Sequence, residues 1–208
     1  EFRRVLFRSA AELNKDDARL LFEIDVLYEA NQISPAEKYT FLMDNYETAK
    51  NRYETLLRLI TRAVEYGKFD EALYMLDNNR IVESEGAREK QNAYLNSYTM
   101  RAMNQINQKD YDSALIDIKA ALDYPIGLVA RARYAQLYYL EGEIYENIGQ
   151  KNQAVKSYEK TLEIETSEAR DREYIYYKGL ALQKLGKEKE AKQIFESLLR
   201  NVGDDGAY

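Results

Sequence analysis

The chain of 208 residues contains no cysteine and no histidine. It therefore forms no disulfide, offers no thiol nucleophile, and lacks both the usual zinc ligands and the commonest general base near neutral pH. Catalytic triads of the Ser–His–Asp or Cys–His kind are excluded for the same reason. Glycine-rich phosphate loops and complete calcium-binding loops are also missing from the sequence. We expect no catalytic residues, no metal site and no cofactor.

Helix breakers and long apolar runs are scarce as well. Only nine glycines and two prolines occur, which favours long helices, and no apolar run approaches the roughly 18 residues that a membrane span needs. The net charge of −6 argues against a general nucleic-acid binder, because such proteins need a basic face. With 45% hydrophobic and 32% charged residues, the composition predicts a folded, soluble protein. The sequence does not distinguish between the cytoplasm and the periplasm.

The two ends of the chain are interpreted separately. Residues 1–9, EFRRVLFRS, resemble the in-frame translation of a sequencing adapter, so we treat them as an assembly scar on a metagenomic, bacterial gene fragment. The alternative is a basic amphipathic N-terminal helix. Residues 202–208 are interpreted as a truncated tail. The native part is then one helical repeat domain over residues 10–201, cut from a longer parent protein.

Two segments of the chain repeat the same residue types at the same spacing. Each begins with a small residue and continues with a large residue, a glycine, an alanine, an aromatic residue and a leucine. These positions are Gly142, Tyr145, Gly149, Ala154, Tyr158 and Leu162 in the first segment, and Gly179, Leu182, Gly186, Ala191, Phe195 and Leu199 in the second. Repetition of this kind predicts stacked structural units that bury a shared core.

Each recurring position has a physical role in a pair of antiparallel helices. Gly142 and Gly179 permit a close approach between two helices, and Gly149 predicts the left-handed residue that ends the first helix. Tyr158 and Phe195 are predicted to fill the wedge between one helix pair and the next. The pattern resembles the tetratricopeptide repeat (TPR), a helical hairpin. This resemblance implies an all-α, right-handed α-solenoid of about five antiparallel hairpins, whose first helices line the concave face.

Weaker copies extend the pattern towards the N-terminus. Lys109 stands where the turn glycine is expected, and Asp110 follows it as a predicted helix cap. Ser34 and Pro35 predict another helix start, and Pro125 predicts a helix end. The predicted helices are 17–31, 35–44, 46–66, 69–77, 88–108, 110–123, 128–148, 151–165, 169–185 and 188–201, with a polar loop at 78–86.

A second resemblance covers roughly residues 17–199. The segments DARLLFEIDVLYEANQISPAEKYTFL, EYGKFDEALYMLDNNRIVESEG and KDYDSALIDIKAALDYP are similar, in this order, to the C-terminal helical region of a bacterial family of unknown function. Larger members of that family carry an N-terminal β-sandwich related to aldose mutarotases, so the resemblance implies a sugar-related parent protein. The loop 78–86 departs from the aromatic and glycine-rich version that is typical of the family.

Tyrosine is unusually frequent, with 19 residues against six phenylalanines and no tryptophan. In the repeat register Tyr139 and Tyr176 are predicted to face the groove, whereas Tyr138 and Ile175 are predicted to face the core. The further groove candidates on the same face are Glu143, Glu146, Leu180 and Gln183. The alternative is that the tyrosines serve packing alone.

Acidic and basic residues also form clusters, and each cluster has two possible interpretations. Glu143 and Glu146 share a helix face, but a solvated face explains them better than the sheltered carboxylate pair of a glycosidase. Glu141 and Glu143 point to different sides of their helix, so they cannot form such a pair. Two arginine pairs predict either a basic strip for a carboxylate or phosphate, or ion pairs with neighbouring acids; they are Arg131 with Arg133 and Arg170 with Arg172.

Three hypotheses about function follow from these patterns. The first is a non-catalytic protein-interaction scaffold whose groove binds a protein or peptide, the parent's own N-terminal domain being one candidate. The second is an accessory helical domain of a larger carbohydrate-active protein, with tyrosines that contribute to glycan binding. The third is a structural spacer without a ligand. We expect the fragment itself not to be an enzyme, although the parent protein is allowed to be one.

Overall fold

The computed structural model describes residues 16–81, 83–124, 131–167 and 170–204. Their regular secondary structure is helical throughout, which confirms the predicted all-α class. The helices are α1 (Ala18–Ala30), α2 (Pro35–Met43), α3 (Tyr46–Ala49), α4 (Tyr53–Glu65), α5 (Phe69–Asn78), α6 (Glu83–Asn107), α7 (Tyr111–Asp123), α8 (Arg133–Asn147), α9 (Lys151–Glu163), α10 (Arg172–Lys184) and α11 (Glu188–Asp204).

The chain forms two compact units, Glu1–Arg101 and Ala102–Tyr208, and the boundary between them lies within α6. In the first unit α1 packs against α2 and α4 packs against α5. In the second unit α8 packs against α9 and α10 packs against α11. Each pair is a helical hairpin, and we call α1, α4, α6, α8 and α10 the first helices.

The predicted helix 46–66 is divided into α3 and α4. The side chain of Asn51 donates a hydrogen bond of 2.9 Å to the carbonyl of Glu47, which satisfies a backbone acceptor at the end of α3. Arg52 then has an extended backbone, with φ −131° and ψ 122°, so the helical hydrogen-bond ladder cannot continue through it. The second hairpin therefore starts at Tyr53, later than the sequence predicted.

Two other boundaries also differ from the predicted ones. Helix α6 begins at Glu83, inside the segment 78–86 that was predicted as a loop. Its first turn contains Glu83 and Glu85, and the alanine, arginine, glutamate and lysine of residues 87–90 that follow favour helix. Helix α11 continues to Asp204, into the segment interpreted as a tail. The predictions for residues 1–9, for Pro125 and for residues 205–208 lie outside the described residues.

Every first helix that precedes a described turn ends at a residue with a left-handed backbone. These residues are Gln32 (φ 53°), Gly67 (φ 81°), Lys109 (φ 63°), Gly149 (φ 81°) and Gly186 (φ 74°). At Gly149 the glycine N–H donates to Glu146 at 3.1 Å, and the next N–H, that of Gln150, donates to Tyr145 at 2.8 Å. These two hydrogen bonds close the helix end, and the chain reverses its direction within a few residues.

Side-chain caps begin several of the helices. Asp17 accepts a bond of 2.9 Å from the N–H of Arg19, and Ser34 accepts one of 3.3 Å from Glu37. Asp110, directly after the left-handed Lys109, accepts a bond of 3.2 Å from Ser113. Each cap satisfies a backbone donor that has no partner within its helix.

An aromatic ring lies on a glycine inside each of the last two hairpins. A Cβ atom on Gly142 would stand 2.5 Å from Cε1 of Tyr158, and one on Gly179 would stand 2.5 Å from Cε1 of Phe195. The rings therefore contact the first helix of their own hairpin, whereas the sequence analysis assigned them to the wedge between hairpins. Ala154 and Ala191, at the start of the second helices, are buried.

The first unit has an aliphatic core. It is formed mainly by leucines and alanines of α2, α4 and α5, which lie on the inner faces of the hairpins. Its fully buried members include Leu42, Leu56, Leu59, Ile60, Ala63 and Ala72.

Substitution at the turn should separate backbone conformation from helix propensity. We expect Lys109→Gly to raise the free energy of unfolding by about 1 kcal/mol, because a left-handed backbone penalises any side chain with a Cβ. The same substitution within α7, Lys119→Gly, should lower it by about 1 kcal/mol. Urea unfolding monitored by circular dichroism measures both values, and a loss of stability in both variants would contradict this account.

The ring-on-glycine contact predicts an order between two alanine variants. Tyr158 is 3% exposed and its hydroxyl donates a bond of 2.9 Å to Glu146, so the ring cannot move away from a new methyl group. Phe195 is partly exposed and has no hydroxyl. Gly142→Ala should therefore lower the stability by about 1–3 kcal/mol, and Gly179→Ala by clearly less. Equal effects in thermal unfolding would rule out this explanation.

Candidate functional site

Three first helices of the first unit, α1, α4 and α6, line an open cleft of about 370 Å³. Its apolar walls are Phe22, Tyr53, Leu57 and Ala93. Leu57 and Ala93 are each 8% exposed and belong to the core, whereas Phe22 and Tyr53 are partly exposed. We call this space the first-helix cleft. Its size lies within the range of about 300–1,000 Å³ that is typical of ligand pockets.

The rim of the first-helix cleft is polar. Asn92 and Asn96 follow each other by one turn on α6, and Thr61 lies on α4. Glu54 forms an ion pair with Arg52 at 3.0 Å, and Glu89 is exposed at the edge. A ligand in the cleft would thus meet an apolar floor, amide and hydroxyl groups, and a rim with an exposed acid.

The cleft was not predicted from the sequence, although a spacing pattern in the sequence indicates it. Phe22 and Leu57 precede the turn residues Gln32 and Gly67 by the same number of residues as Tyr139 precedes Gly149. The groove register that was applied to the last two hairpins therefore also selects the cleft residues in the first two.

A buried ion network supports one wall of the cleft. Asp25 of α1 is fully buried and accepts hydrogen bonds from Arg58 and from Arg62 of α4, the latter at 2.9 Å from both Nε and Nη2. Arg58 also binds Glu29 at 2.5 Å, and its guanidinium lies 5.4 Å from the ring centre of Phe22. The network therefore holds a cleft-lining arginine against a cleft-lining ring.

The charges of this network balance one another. Arg62 also bridges Glu29 at 3.1 Å and Glu65 at 2.9 Å, and Lys38 binds Glu65 at 3.3 Å. The hydrogen bond from Arg58 lowers the pKa of the Glu29 carboxyl. Burial opposes the charge on Arg62, but the hydrogen bonds and charges of Asp25 and Glu65 together outweigh it, so the pKa of Arg62 is raised.

In the second unit the two tyrosines that were predicted to face the groove differ in solvent exposure. Tyr176 is 48% exposed and stays a groove candidate. The expectation that Tyr139 faces the groove is wrong: it is 8% exposed, and its ring packs 5.7 Å from Tyr158 and 5.5 Å from Tyr177. Tyr138, predicted to face the core, is partly exposed and has the ammonium of Lys160 5.0 Å from its ring centre.

Five rings form a continuous aromatic row across the last two hairpins. Tyr158 contacts Tyr139, Tyr139 contacts Tyr177, Tyr177 contacts Tyr176 at 5.9 Å, and Tyr176 contacts Phe195 at 5.7 Å. Burial raises the pKa of Tyr139 and of Tyr177. Most of these tyrosines therefore serve packing, and the exposed ring of Tyr176 lies at the surface of the row.

The other groove candidates lie beside this aromatic row. Glu146 is paired with Lys184 at 2.5 Å, which lowers the pKa of its carboxyl and links α8 to α10. Glu143 is half-buried, and burial raises the pKa of its carboxyl. Leu180 is partly exposed and Gln183 is exposed.

Glu141 and the arginines have local roles. Glu141 is 8% exposed and accepts a hydrogen bond of 2.7 Å from Ser157. Arg172 donates a bond of 2.6 Å to the carbonyl of Leu198, whereas Arg131 and Arg170 are exposed. Because Arg172 binds its own hairpin, the predicted basic strip is not supported as a whole.

The described residues also bear on metal binding and membrane insertion. Across 16–81, 83–124, 131–167 and 170–204 there is no cluster of acidic side chains that could hold a metal ion. Over the same ranges no helix combines the length and apolar character that crossing a bilayer demands.

Family models match the last two hairpins. Residues 135–167 and residues 173–204 each match a tetratricopeptide repeat model. The chain contains two tetratricopeptide repeats. They correspond to α8 with α9 and to α10 with α11, the hairpins in which an aromatic ring lies on a glycine.

Solved structures resemble the chain over most of its length. A double mutant of MamA RS-1 is 18% identical, covers 93% of this chain and 98% of its own, and has a TM-score of 0.52. MamA from Desulfovibrio magneticus RS-1 is 18% identical, with 92% and 98% coverage and a TM-score of 0.50. YrrB, described as a TPR protein with an unusual peptide-binding site, is 14% identical, with 93% and 91% coverage and a TM-score of 0.47. The likeness to MamA is one of fold.

The ion network predicts a large effect from a small change. We expect Asp25→Asn to lower the free energy of unfolding by about 3 kcal/mol, because it leaves the buried Arg62 without its main counter-charge. The control Glu29→Gln removes a carboxylate that is 54% exposed and should cost less than about 1 kcal/mol. Chemical denaturation of both variants measures the difference, and similar small losses would contradict the importance of the network.

Proposed function

We propose that the chain is a non-catalytic scaffold that binds a peptide segment of a partner protein across its first helices. The observation that carries this proposal is the first-helix cleft, an open apolar space bordered by α1, α4 and α6. Repeated hairpins support it, since stacked helices present a surface that can be altered without disturbing the core. The partner is a separate protein or the N-terminal domain of the parent.

The walls of the cleft indicate what the peptide presents. Phe22, Tyr53 and Leu57 offer aromatic and aliphatic surface, so the anchor is one bulky apolar side chain. The amides of Asn92 and Asn96 can bind peptide groups beside that anchor.

Charge adds a second feature of the peptide. Arg58 is already bound by Asp25 and Glu29, and Arg52 is bound by Glu54. The exposed acid at the rim is Glu89. A basic residue near the apolar anchor would therefore complement the cleft better than an acidic one.

The accessory-domain hypothesis rests on a single favourable observation. The ring of Tyr176 is 48% exposed and could stack on a sugar. Under this hypothesis the chain would be the helical part of a parent protein of the kind that the resemblance to the mutarotase-linked bacterial family implies. A glycan panel titrated against the chain, with tyrosine fluorescence as the signal, separates this hypothesis from peptide binding.

A peptide library selected against the full chain tests the scaffold function. We expect recovered peptides to share a bulky apolar residue, and its replacement by alanine should weaken binding at least about tenfold, or 1.4 kcal/mol. Thr61→Arg places a long side chain at the exposed cleft rim and should weaken binding by a similar factor. Fluorescence anisotropy gives the dissociation constants.

The matched control is Thr40→Arg, which makes the same change at an exposed position of α2 away from the first-helix cleft. It should leave both stability and affinity unchanged. Equal affinity of the selected peptides for the Thr61→Arg variant, or a library that yields no binding peptide, would reject the proposed function.

A further inference from the structure

The last two hairpins place the same repeat position in different surroundings. Tyr139 of α8 and Tyr176 of α10 each lie just before the glycine on which an aromatic ring packs, at the same distance from it. Tyr139 is 8% exposed, whereas Tyr176 is 48% exposed. Because the two tyrosines occupy one position in the repeat, their difference in exposure comes from what covers them.

Helix α10 covers this position in the hairpin α8–α9. It packs against both α8 and α9. The Tyr177 ring lies 5.5 Å from the Tyr139 ring, and the Tyr177 hydroxyl accepts a hydrogen bond of 2.9 Å from Gln136. Further along both helices, Lys184 binds Glu146 at 2.5 Å. These contacts advance together along the chain, so α10 runs beside α8 in the same direction.

The corresponding face of the hairpin α10–α11 is open. Among the described helices α11 packs against α10 alone, and α10 packs only against α8, α9 and α11. Leu199, one turn after Phe195 on α11, is 72% exposed. Phe195 is partly exposed, although Tyr158 at the same repeat position is buried. We call this open surface the terminal face. It consists of Tyr176, Leu180 and Gln183 of α10 and of Phe195, Leu198 and Leu199 of α11.

The terminal face is contiguous and mainly apolar. The Tyr176 and Phe195 rings are in contact at 5.7 Å, and leucines follow each of them by one helical turn. Single exposed apolar residues are ordinary on a protein surface, but a contiguous set is typical of an interaction surface.

The covered face of the preceding hairpin is more polar than the terminal face. Leu180 stands where α8 has Glu143, and Leu198 stands where α9 has Thr161. Apolar residues have thus replaced polar ones on the face that is open, although removal of apolar surface from water is what favours burial. The terminal face continues, one repeat further, the interface that α8 and α9 make with α10, and its composition favours a helix as the covering element.

Glu173 indicates what this helix carries. It is exposed on α10 at the repeat position that Gln136 occupies on α8. The Gln136 amide donates to the Tyr177 hydroxyl, but an ionised carboxylate can only accept. A covering helix must therefore bring a donor to Glu173. A tyrosine in the place of Tyr177 supplies that donor with its hydroxyl while its ring lies on Tyr176.

We propose that the terminal face binds an amphipathic α-helix of a partner protein. The helix lies along α10 in the same direction and places a tyrosine against Tyr176 and Glu173, as α10 does on the preceding hairpin. This inference goes beyond the proposed function, because it concerns a surface within the second unit, uses no residue of the first-helix cleft and specifies a helical ligand.

The probe is a stapled helix with the sequence of residues 171–185, the segment that covers the same face of the preceding hairpin. A hydrocarbon staple in place of its Tyr176 and Leu180 holds the short segment helical and removes its own copy of the terminal face. Titration into the full chain, followed by amide NMR shifts, should give a dissociation constant on the order of 0.1 mM, because one helix buries a small interface. The largest shifts should lie around Tyr176 and Leu199.

Two variants of the chain form a matched pair. Leu199→Glu places a charge on the terminal face and should weaken binding at least about fivefold. The control Ile116→Glu makes the same change on α7, where the side chain is 69% exposed against 72% for Leu199, and it should leave binding unchanged. Both variants should keep the thermal unfolding midpoint of the unaltered chain, because both side chains mainly face water.

A double-mutant cycle tests the tyrosine. Glu173→Ala in the chain and Tyr177→Phe in the probe should each weaken binding about threefold, and the two changes together should cost no more than one of them. Additive losses would overturn the pairing of Glu173 with a tyrosine.

The proposal as a whole is overturned if the probe shows no saturable binding, if it binds the Leu199→Glu variant as tightly as the unaltered chain, or if the shifts lie elsewhere. Sedimentation equilibrium checks the alternative occupant. A dimer of the chain that Leu199→Glu dissociates would also overturn the proposal, because a second copy would then cover the terminal face. None of these outcomes depends on the Thr61→Arg experiment, so either proposal can fail without the other.

Discussion

The left-handed residue at the end of each first helix is the constraint on which the rest of the structure depends. A helix can reverse into an antiparallel partner within a few residues only if one backbone position leaves the right-handed region and its neighbours close the orphaned carbonyls. Gly67, Gly149 and Gly186 reach that conformation without strain, and Gln32 and Lys109 reach it with a side chain attached. All later contacts within a hairpin require that reversal, because they join residues on either side of it.

The hairpin interior then depends on the residue that faces the second helix. In the last two hairpins this residue is Gly142 or Gly179, and an aromatic ring lies directly on it. In the first hairpin the residue at the same distance before the turn is Asp25, which is fully buried. A carboxylate there cannot accept a packed ring, and two arginines of the next first helix approach it. The same position thus leads to aromatic packing in one unit and to an ion network in the other.

This difference extends to the surfaces that could bind a partner. In the first unit the ion network holds Arg58 beside Phe22 and leaves an open apolar cleft. In the second unit the aromatic row fills the space between α8 and α10, and the Tyr176 ring remains exposed at its surface. Two tetratricopeptide repeats agree with a protein-interaction scaffold, but the choice of ligand depends on these individual side chains.

The sequence by itself determined the helical class, the turns within the hairpins and the two regular repeats, because the spacing of glycine, alanine and aromatic residues follows from local backbone geometry. Only the tertiary structure decided that Tyr139 is buried, that Glu141 lies inside its hairpin, and that Phe22 and Leu57 border a cleft. These outcomes depend on which neighbouring helix covers a face. Local spacing places a residue on a face of its helix, but burial is decided by residues that are distant in the chain.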